Sequence, residues 1–226
     1  EYAQRYIDRF LELKIEAMLD TMVLSLDENK NLRVSSQKGF MQIRAKAVIL
    51  SMGCRERTAG AISLPGTRPS GVYTAGAAQN LINLQNIRIG NRAVILGSGD
   101  IGLIMARRLT LEGVKVTAVF ELLPTPSGLA RNVQQCLHDY DIPLYLSTSV
   151  FELHGRHRLE GVTVAGVDED FKMIESTKRF VSCDTLLLSV GLIPENELSQ
   201  NAGIELESAT GGAGVDDHFM TSVPGI

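Results

Sequence analysis

The run Val94-Ile95-Leu96-Gly97-Ser98-Gly99-Asp100-Ile101-Gly102 joins an apolar segment to a glycine-spaced loop and then to a helical pattern. Val94-Ile95-Leu96, the end of a predicted strand over Ala93–Leu96, reads as buried on both faces. Apolar and polar residues from Ile101 to Leu111 recur at helical period. Each glycine between them has a task. Gly97 permits a tight turn, Gly99 lacks a Cβ and lets a pyrophosphate approach the backbone, and Gly102 lets the helix lie close to the strand. The helix start offers unpaired N–H donors and the positive end of its dipole to phosphates. Gly-x-Gly-x-x-Gly alone is a weak signal; directly after a strand and directly before a helix it is a strong one.

Reading outward, Lys115–Phe120 is the next strand, and it ends on Glu121, nineteen residues beyond Gly102. A carboxylate there can accept a hydrogen bond from a ribose 2′-hydroxyl, and it would repel a 2′-phosphate. The following Leu122-Leu123-Pro124 supplies no cation to neutralise such a phosphate. The pattern therefore favours NAD(H) over NADP, with Ser98, Asp100 and Ile101 completing the loop. Asp100 reads as a cap of the helix, with a position facing the nicotinamide as the alternative. The competing plain readings are a ligand-free strand–helix turn for the glycines and a solvated strand-end carboxylate for Glu121.

Asn132–Tyr140 continues as helix and Pro143–Ser147 as strand, so residues 93–147 form a right-handed βαβαβ unit with a parallel sheet. Ligands of such sheets sit at the carboxyl ends of the strands. Val150–Leu153, Gly161–Val167 and Phe171–Val181 read as a three-stranded antiparallel meander, and Thr185–Val190 as a last buried strand. Upstream, residues 2–16 form an amphipathic helix with Tyr6, Ile7, Phe10, Leu11 and Leu13 near one stripe. Met18–Leu26 is a strand, and Leu32–Ser35 with Met41–Arg44 a hairpin around Gly39. Lys46–Ser51 is a short strand buried on both faces. Residues 52–71 form a Gly- and Pro-rich loop, Ala75–Leu84 a helix, and Asp216–Pro224 a loop. The fold class is α/β.

A net charge of −4 argues against a nucleic-acid surface. No apolar run reaches the roughly 18 residues of a membrane span, and the polar opening residues are no signal peptide. Cys54, Cys136 and Cys183 are too far apart for metal spacing or a redox pair; each reads as a small buried hydrophobe in a reducing, cytoplasmic compartment. No metal site and no side-chain nucleophile emerges. Gly97-Ser98-Gly99 is not a nucleophile elbow. His138, His154, His157 and His218 read as surface residues, and His154–Arg158 as a hairpin turn. Arg55 and Arg57 read equally as residues of a cofactor cleft or as solvated charges.

Three ordered segments carry a resemblance. Lys46-Ala-Val-Ile-Leu-Ser-Met-Gly53, the Gly97–Gly102 loop with Glu121, and Cys183-Asp-Thr-Leu-Leu-Leu-Ser-Val-Gly191 with Ile193-Pro194 resemble, in this order, segments of two-dinucleotide flavoproteins of the pyridine nucleotide-disulfide oxidoreductase superfamily. Thr221-Ser-Val-Pro-Gly-Ile226 resembles the lead-in to their last flavin-contacting strand. The resemblance implies a Rossmann-type NAD domain with the antiparallel meander, flanked by incomplete FAD-domain segments: residues 1–68 as a partial FAD-binding segment, 69–190 as the NAD-binding domain, 191–226 as the return to the FAD domain. It adds Gly53, Val190 and Gly191 to the cofactor-binding candidates. It implies hydride transfer between NAD(H) and FAD, with onward transfer to a substrate or a partner redox subunit, and no catalytic side chain.

Two departures qualify it. The family's own FAD fingerprint is absent, so the chain is read as an excised piece whose FAD belongs to the full-length protein. Such a piece is expected to be inactive alone and to self-associate, or be disordered, around residues 1–60, where Lys46–Ser51 loses its neighbours. The redox Cys pair of thioredoxin reductases is also missing, and Ile104 stands where lipoamide and glutathione reductases often carry Glu. Met52–Arg57 and Gly71–Gly76 resemble the branch of sarcosine oxidase alpha subunits, opine oxidases and cyanide-synthase subunits, and flavoproteins accompanying anaerobic glycerol-3-phosphate dehydrogenases. The alternative to an enzyme part is a non-catalytic NAD(H)-binding module. A short-chain dehydrogenase would require Tyr-x-x-x-Lys, which is missing.

Overall fold

The computed structural model describes residues 1–226 and divides the chain into two units, residues 54–193 and residues 1–53 with 194–226. In chain order the elements are α1 (Tyr2–Glu12), β1 (Thr21–Leu26), β2 (Asn31–Ser36), β3 (Gly39–Arg44), β4 (Cys54–Glu56), β5 (Val72–Thr74), α2 (Ala75–Asn83), β6 (Arg92–Leu96), α3 (Asp100–Leu111), β7 (Lys115–Phe120), α4 (Ala130–Cys136), β8 (Leu144–Tyr145), β9 (Thr148–His154), β10 (Gly161–Gly166), β11 (Arg179–Ser182), β12 (Thr185–Leu188), β13 (Leu192–Pro194) and α5 (Glu197–Asn201).

In the unit 54–193 a five-stranded sheet runs in the order β5-β12-β6-β7-β8, with every neighbouring pair parallel. Successive residues of a strand point to opposite faces, and here both faces are covered. Ala93 and Ile95 join Ala78, Leu103, Ala106 and Leu109 in one core under the helices. Val94 and Leu96 join Phe120, Val162, Val164 and Leu186 in a second core on the other face. That double burial is why the strands read as unbroken apolar runs. The second core is closed by the antiparallel meander β11-β10-β9. From β6 the chain moves to β7 and β8 on one side, while β12 and β5 lie on the other. The end of β6 is thus a topological switch point, where a crevice opens beyond the carboxyl ends of the strands.

This parallel sheet with its meander is the α/β fold expected. Boundaries differ in places. The unit begins at Cys54 because Ala59, Ile62 and Leu64 pack against the second core, whereas the boundary read from sequence lies at 68/69. Pro143–Ser147 contributes only Leu144–Tyr145 to the sheet. The predicted helix 132–140 is α4 followed by a 3-10 turn, His138–Tyr140, which ends at Asp141 in the left-handed region. Phe171–Val181 is not one strand: Asp168 accepts from the N–H groups of Asp170 and Lys172 and turns the chain. After an isolated bridge between Val167 and Met173, ladder pairing resumes at Arg179.

At the opposite end of the sheet Asp184 ties two strands together. Its carboxylate accepts from Asn91 N at 2.9 Å, Arg92 N at 3.0 Å and Thr185 Oγ1 at 3.0 Å. Burial pushes its pKa up, but the backbone donors of Arg92 and Asn91 outweigh burial and hold it below the ordinary 3.8. Asp184→Ala is expected to cost about 2 kcal/mol, because three donors lose a charged acceptor. A carboxylate depressed in the folded state contributes stability above its unfolded pKa and loses it as pH falls through the folded value. The gap between wild type and variant in urea unfolding should therefore be full at pH 7 and shrink below about pH 4. An equal gap at pH 7 and pH 3 contradicts the assignment.

In the other unit, β1-β2-β3 form an antiparallel sheet, with Ser36–Gly39 closing the predicted hairpin. Leu26, Ala202, Ile204 and Ile226 make its small core. α1 ends at Glu12 and buries no residue, so Tyr6, Ile7, Leu11 and Leu13 stay exposed. Lys46–Ser51 is not a doubly buried strand. Val48 and Leu50 lean on the core, while Ile49 between them is 93% exposed.

Candidate functional site

The three glycines after β6 prove unequal. Gly97 has φ +97°, and its N–H donates to Phe120 O at 2.7 Å. A Cβ on it would lie 2.0 Å from the Ser189 carbonyl oxygen, because Ser189 N donates to Leu96 O at 2.7 Å and lays the end of β12 against the loop. A Cβ on Gly102 would lie 2.7 Å from Gly97 O and 2.8 Å from Ser189 Cβ, so the first turn of α3 presses on the loop. Gly99 is different. Its φ of −62° and ψ of 159° suit any residue, and a Cβ there would meet only Ser189 Oγ, at 3.6 Å. Two glycines are required by the protein's own packing and one is not.

Gly99 precedes α3 as its N-cap and carries no side chain, so the donors of the first turn stay uncapped. Asp100 is therefore not the cap. Its carboxylate reaches sideways to Leu129 N and Asn132 Nδ2, both at 2.8 Å. These two donors, Leu129 first, hold its pKa below the ordinary carboxylate range. Both donors meet Oδ1 and tie Asp100 to the start of α4. Ser98 is fully buried and Ile101 is 43% exposed.

Glu121 is neither a solvated strand-end carboxylate nor an open acceptor. It is 5% exposed. Its Oε2 accepts from Ser98 N at 2.9 Å, Ser98 Oγ at 2.5 Å and Ser127 Oγ at 2.9 Å, and its Oε1 accepts from Leu123 N at 3.0 Å. Ser127 N in turn donates to Ser98 Oγ at 2.9 Å. Burial pushes the Glu121 pKa up, but these donors, Leu123 N foremost, hold it below the ordinary 4.5, so it is ionised at neutral pH. Residues 122–129 thus fold back over the glycine loop. A Cβ on Gly128 would stand 2.8 Å from Ser98 O.

The remaining candidates separate. Val190 follows Ser189 and packs against the second core. Gly191, at φ +99°, offers its carbonyl to Arg57 N at 3.0 Å; Arg57 is exposed. Gly53 belongs to the other unit, where its carbonyl accepts from Glu195 N at 3.1 Å. That unit brings together the two segments singled out near its ends: Val48 N donates to Gly225 O at 2.9 Å. A cavity of about 740 Å³ lies between them, lined by Val48, Leu50, Met52, Phe219, Met220 and Thr221 among others. Sequence reading does not find Ser189, Ser127 and Asn132. Ser189 lies inside the quoted run Cys183–Gly191, but nothing local marks it as the wall behind Gly97.

Cys183 is buried and its thiol is pushed up to about 12 by burial and by Asp184; burial also raises Cys136. Neither is a thiolate nucleophile. Cys54 is exposed, contrary to the expected buried position, since it sits at the start of the short edge β4. His138, His157 and His218 are exposed and His154 half-buried. His154–Arg158 turns from β9 toward β10. No group of three His, Cys, Asp or Glu side chains gathers to hold a metal. No helix is long and apolar enough to cross a membrane.

The family model of the pyridine nucleotide-disulphide oxidoreductases matches residues 3–226. The chain belongs to this family. Its relatives include hydrogen cyanide synthase subunit HcnB of Pseudomonas aeruginosa, 27% identical over 206 residues, which cover 84% of this chain and 44% of that protein. They also include the ferredoxin–NAD(+) reductase subunit of the benzene 1,2-dioxygenase system of Pseudomonas putida, 29% identical over 225 residues, 97% of this chain and 50% of that one. The chain spans about half the length of these curated relatives. Among solved structures, the NAD-dependent persulfide reductase from A. fulgidus superposes with a TM-score of 0.74 at 21% identity, covering 96% of this chain and 39% of that one. At that identity the likeness shows the fold. The family implies FAD and a pyridine nucleotide as cofactors. The relatives are subunits or components of multi-protein redox systems. They include ferredoxin reductases as well as a cyanide-synthase subunit, so similarity supports the superfamily and not the single sarcosine oxidase and opine oxidase branch.

Proposed function

We propose that the Gly97–Gly102 loop, with Ser98, Asp100 and Ile101, and Glu121 form the NAD(H) site of an FAD-dependent oxidoreductase in which hydride passes between NAD(H) and FAD. Gly99 carries this reading. The protein itself does not need glycine there, because a Cβ would make only an ordinary contact with Ser189 Oγ at 3.6 Å. A pyrophosphate does need it, because only a bare backbone beside uncapped helix donors lets phosphate oxygens come to hydrogen-bonding distance. Residues 54–193 are the nucleotide-binding part on this reading, and residues 1–53 with 194–226, including Gly53, belong to the flavin side.

When bound, the nicotinamide and the flavin supply the hydride donor and acceptor. This chain's residues bind and orient. The loop N–H groups and the α3 dipole hold the phosphates. Gly97 and Gly102 keep the loop seated on Ser189, and Val190 and Gly191 lead away from it. Glu121, ionised, sets the preference for a ribose without a 2′-phosphate. The chain has a single glycine fingerprint, which supports an FAD bound largely by residues other than these. Relatives that are subunits support a partner redox protein. Relatives on both the cyanide-synthase and the ferredoxin-reductase side leave the onward acceptor open between a substrate and a partner redox subunit. Three free cysteines support a reducing, cytoplasmic compartment. The exposed α1 face and Ile49 support self-association.

Calorimetric titration with NADH and NADPH tests the site. NADH is expected to bind at least about tenfold more tightly, one unfavourable charge–charge contact being worth about 1.4 kcal/mol or more. Equal affinities remove the Glu121 argument, and no heat with either removes the site. A second reading, a binding module without redox function, draws on one observation: the Glu121 carboxylate is already occupied by protein donors. Flavin content and NADH-to-dye activity of the full-length protein separate the two.

A further inference from the structure

We infer that Ser127 holds the place of a ribose hydroxyl on Glu121, so that nucleotide binding proceeds by exchange of one hydroxyl for another and Ser127 sets how readily the site opens. The inference rests on the NAD(H) reading above. A carboxylate oxygen presents about two lone-pair directions, yet Oε2 of Glu121 receives three donors. Two of them come from Ser98, which is fully buried and held by the turn after β6. The third is the Ser127 hydroxyl, on an exposed residue of the 122–129 segment. It is the least constrained of the three and the one a hydroxyl from outside can replace.

The same segment explains why Glu121 is only 5% exposed although it ends a strand at the switch point. Leu122, Leu123, Pro124, Thr125, Pro126 and Ser127 are all exposed. Their cover over the carboxylate hangs on few bonds. On the Glu121 side these are Ser127 Oγ to Glu121, Ser127 N to Ser98 Oγ, Leu123 N to Oε1 and Ser147 N to Leu123 O. Farther along, Leu129 N is anchored on Asp100. Exchange at Ser127 releases two of these bonds and leaves the Leu123 and Leu129 bonds intact. The cover therefore swings at its middle and stays fixed at both ends. A ribose then donates one hydroxyl to Oε2 in place of Ser127, with no change in the charge of the acceptor.

The test compares wild type and Ser127→Ala on the full chain, with NADH as the probe. Removing the competing hydroxyl should tighten NADH binding about three- to tenfold, the range of one hydrogen bond to a charged group reduced by solvent competition. In wild type, NADH should speed hydrogen exchange at the Ser127 amide and leave the Leu123 amide unchanged. Unchanged or weaker NADH binding in the variant, or slower exchange at Ser127 on adding NADH, overturns the inference while leaving the site reading intact. Absence of NADH binding to both proteins overturns the site reading and the exchange with it. Equal acceleration at Leu123 and Ser127 means that the whole segment loosens and also overturns a specific exchange.

Discussion

Gly97→Ala is expected to destabilise the protein by about 3 kcal/mol or more, lowering the midpoint of thermal unfolding by roughly 6–12 °C for a chain of this size. Two independent costs act at one atom. The backbone is at φ +97°, a region alanine rarely adopts. The added methyl would also stand 2.0 Å from Ser189 O and 2.7 Å from Ser189 C, which are backbone atoms of a strand held to β6 and cannot turn aside as a side chain can. Relief requires pulling the end of β12 from Leu96 O and with it Thr185–Leu188, all four residues of which are buried. Thermal and urea unfolding followed by far-UV circular dichroism measure the loss. A variant within about 1 kcal/mol of wild type would mean that the loop reseats without strain, and the packing account of Gly97 would be wrong.

Gly99→Ala should do the opposite. Stability should stay within about 0.5 kcal/mol of wild type, since the conformation is ordinary and the methyl meets only Ser189 Oγ at ordinary contact distance. Affinity for NADH should fall on the order of thirtyfold, the equivalent of about 2 kcal/mol, because the methyl occupies the approach to the loop donors. The pair of variants separates fold from function within three residues. An alanine at 99 that binds NADH normally sinks the proposal that phosphate lies against this loop, whatever the behaviour of Gly97→Ala.

Much of the architecture around this loop is legible in the order of residues. The strand at 93–96, the helix from about 100 to 111 and the strand 115–120 follow from the local sequence alone, because a short apolar run, a period of 3.6 and the absence of a Cβ act locally. Lys46–Ser51 shows the limit. Its Ala-Val-Ile-Leu run has the composition of a buried strand, but burial is a property of neighbours, and here only one of its faces has any. Phe171–Val181 shows another: the Asp168 side chain captures two backbone donors and turns a stretch of strand-forming residues into a loop.

The candidate site divides along the same line. Sequence alone determined that a strand, a glycine loop, a helix and an acidic residue stand in the order a dinucleotide site uses, since each step spans a few residues and obeys local geometry. Tertiary structure decided what each of them does. Which glycines are indispensable depends on Ser189, brought beside the loop by a parallel strand. What Glu121 holds depends on Ser98 and Ser127, and what Asp100 holds depends on Leu129 and Asn132. Hydrogen-bond partners of a buried charge are chosen by every group that folding brings within about 3 Å, and that set is written only in the packed chain.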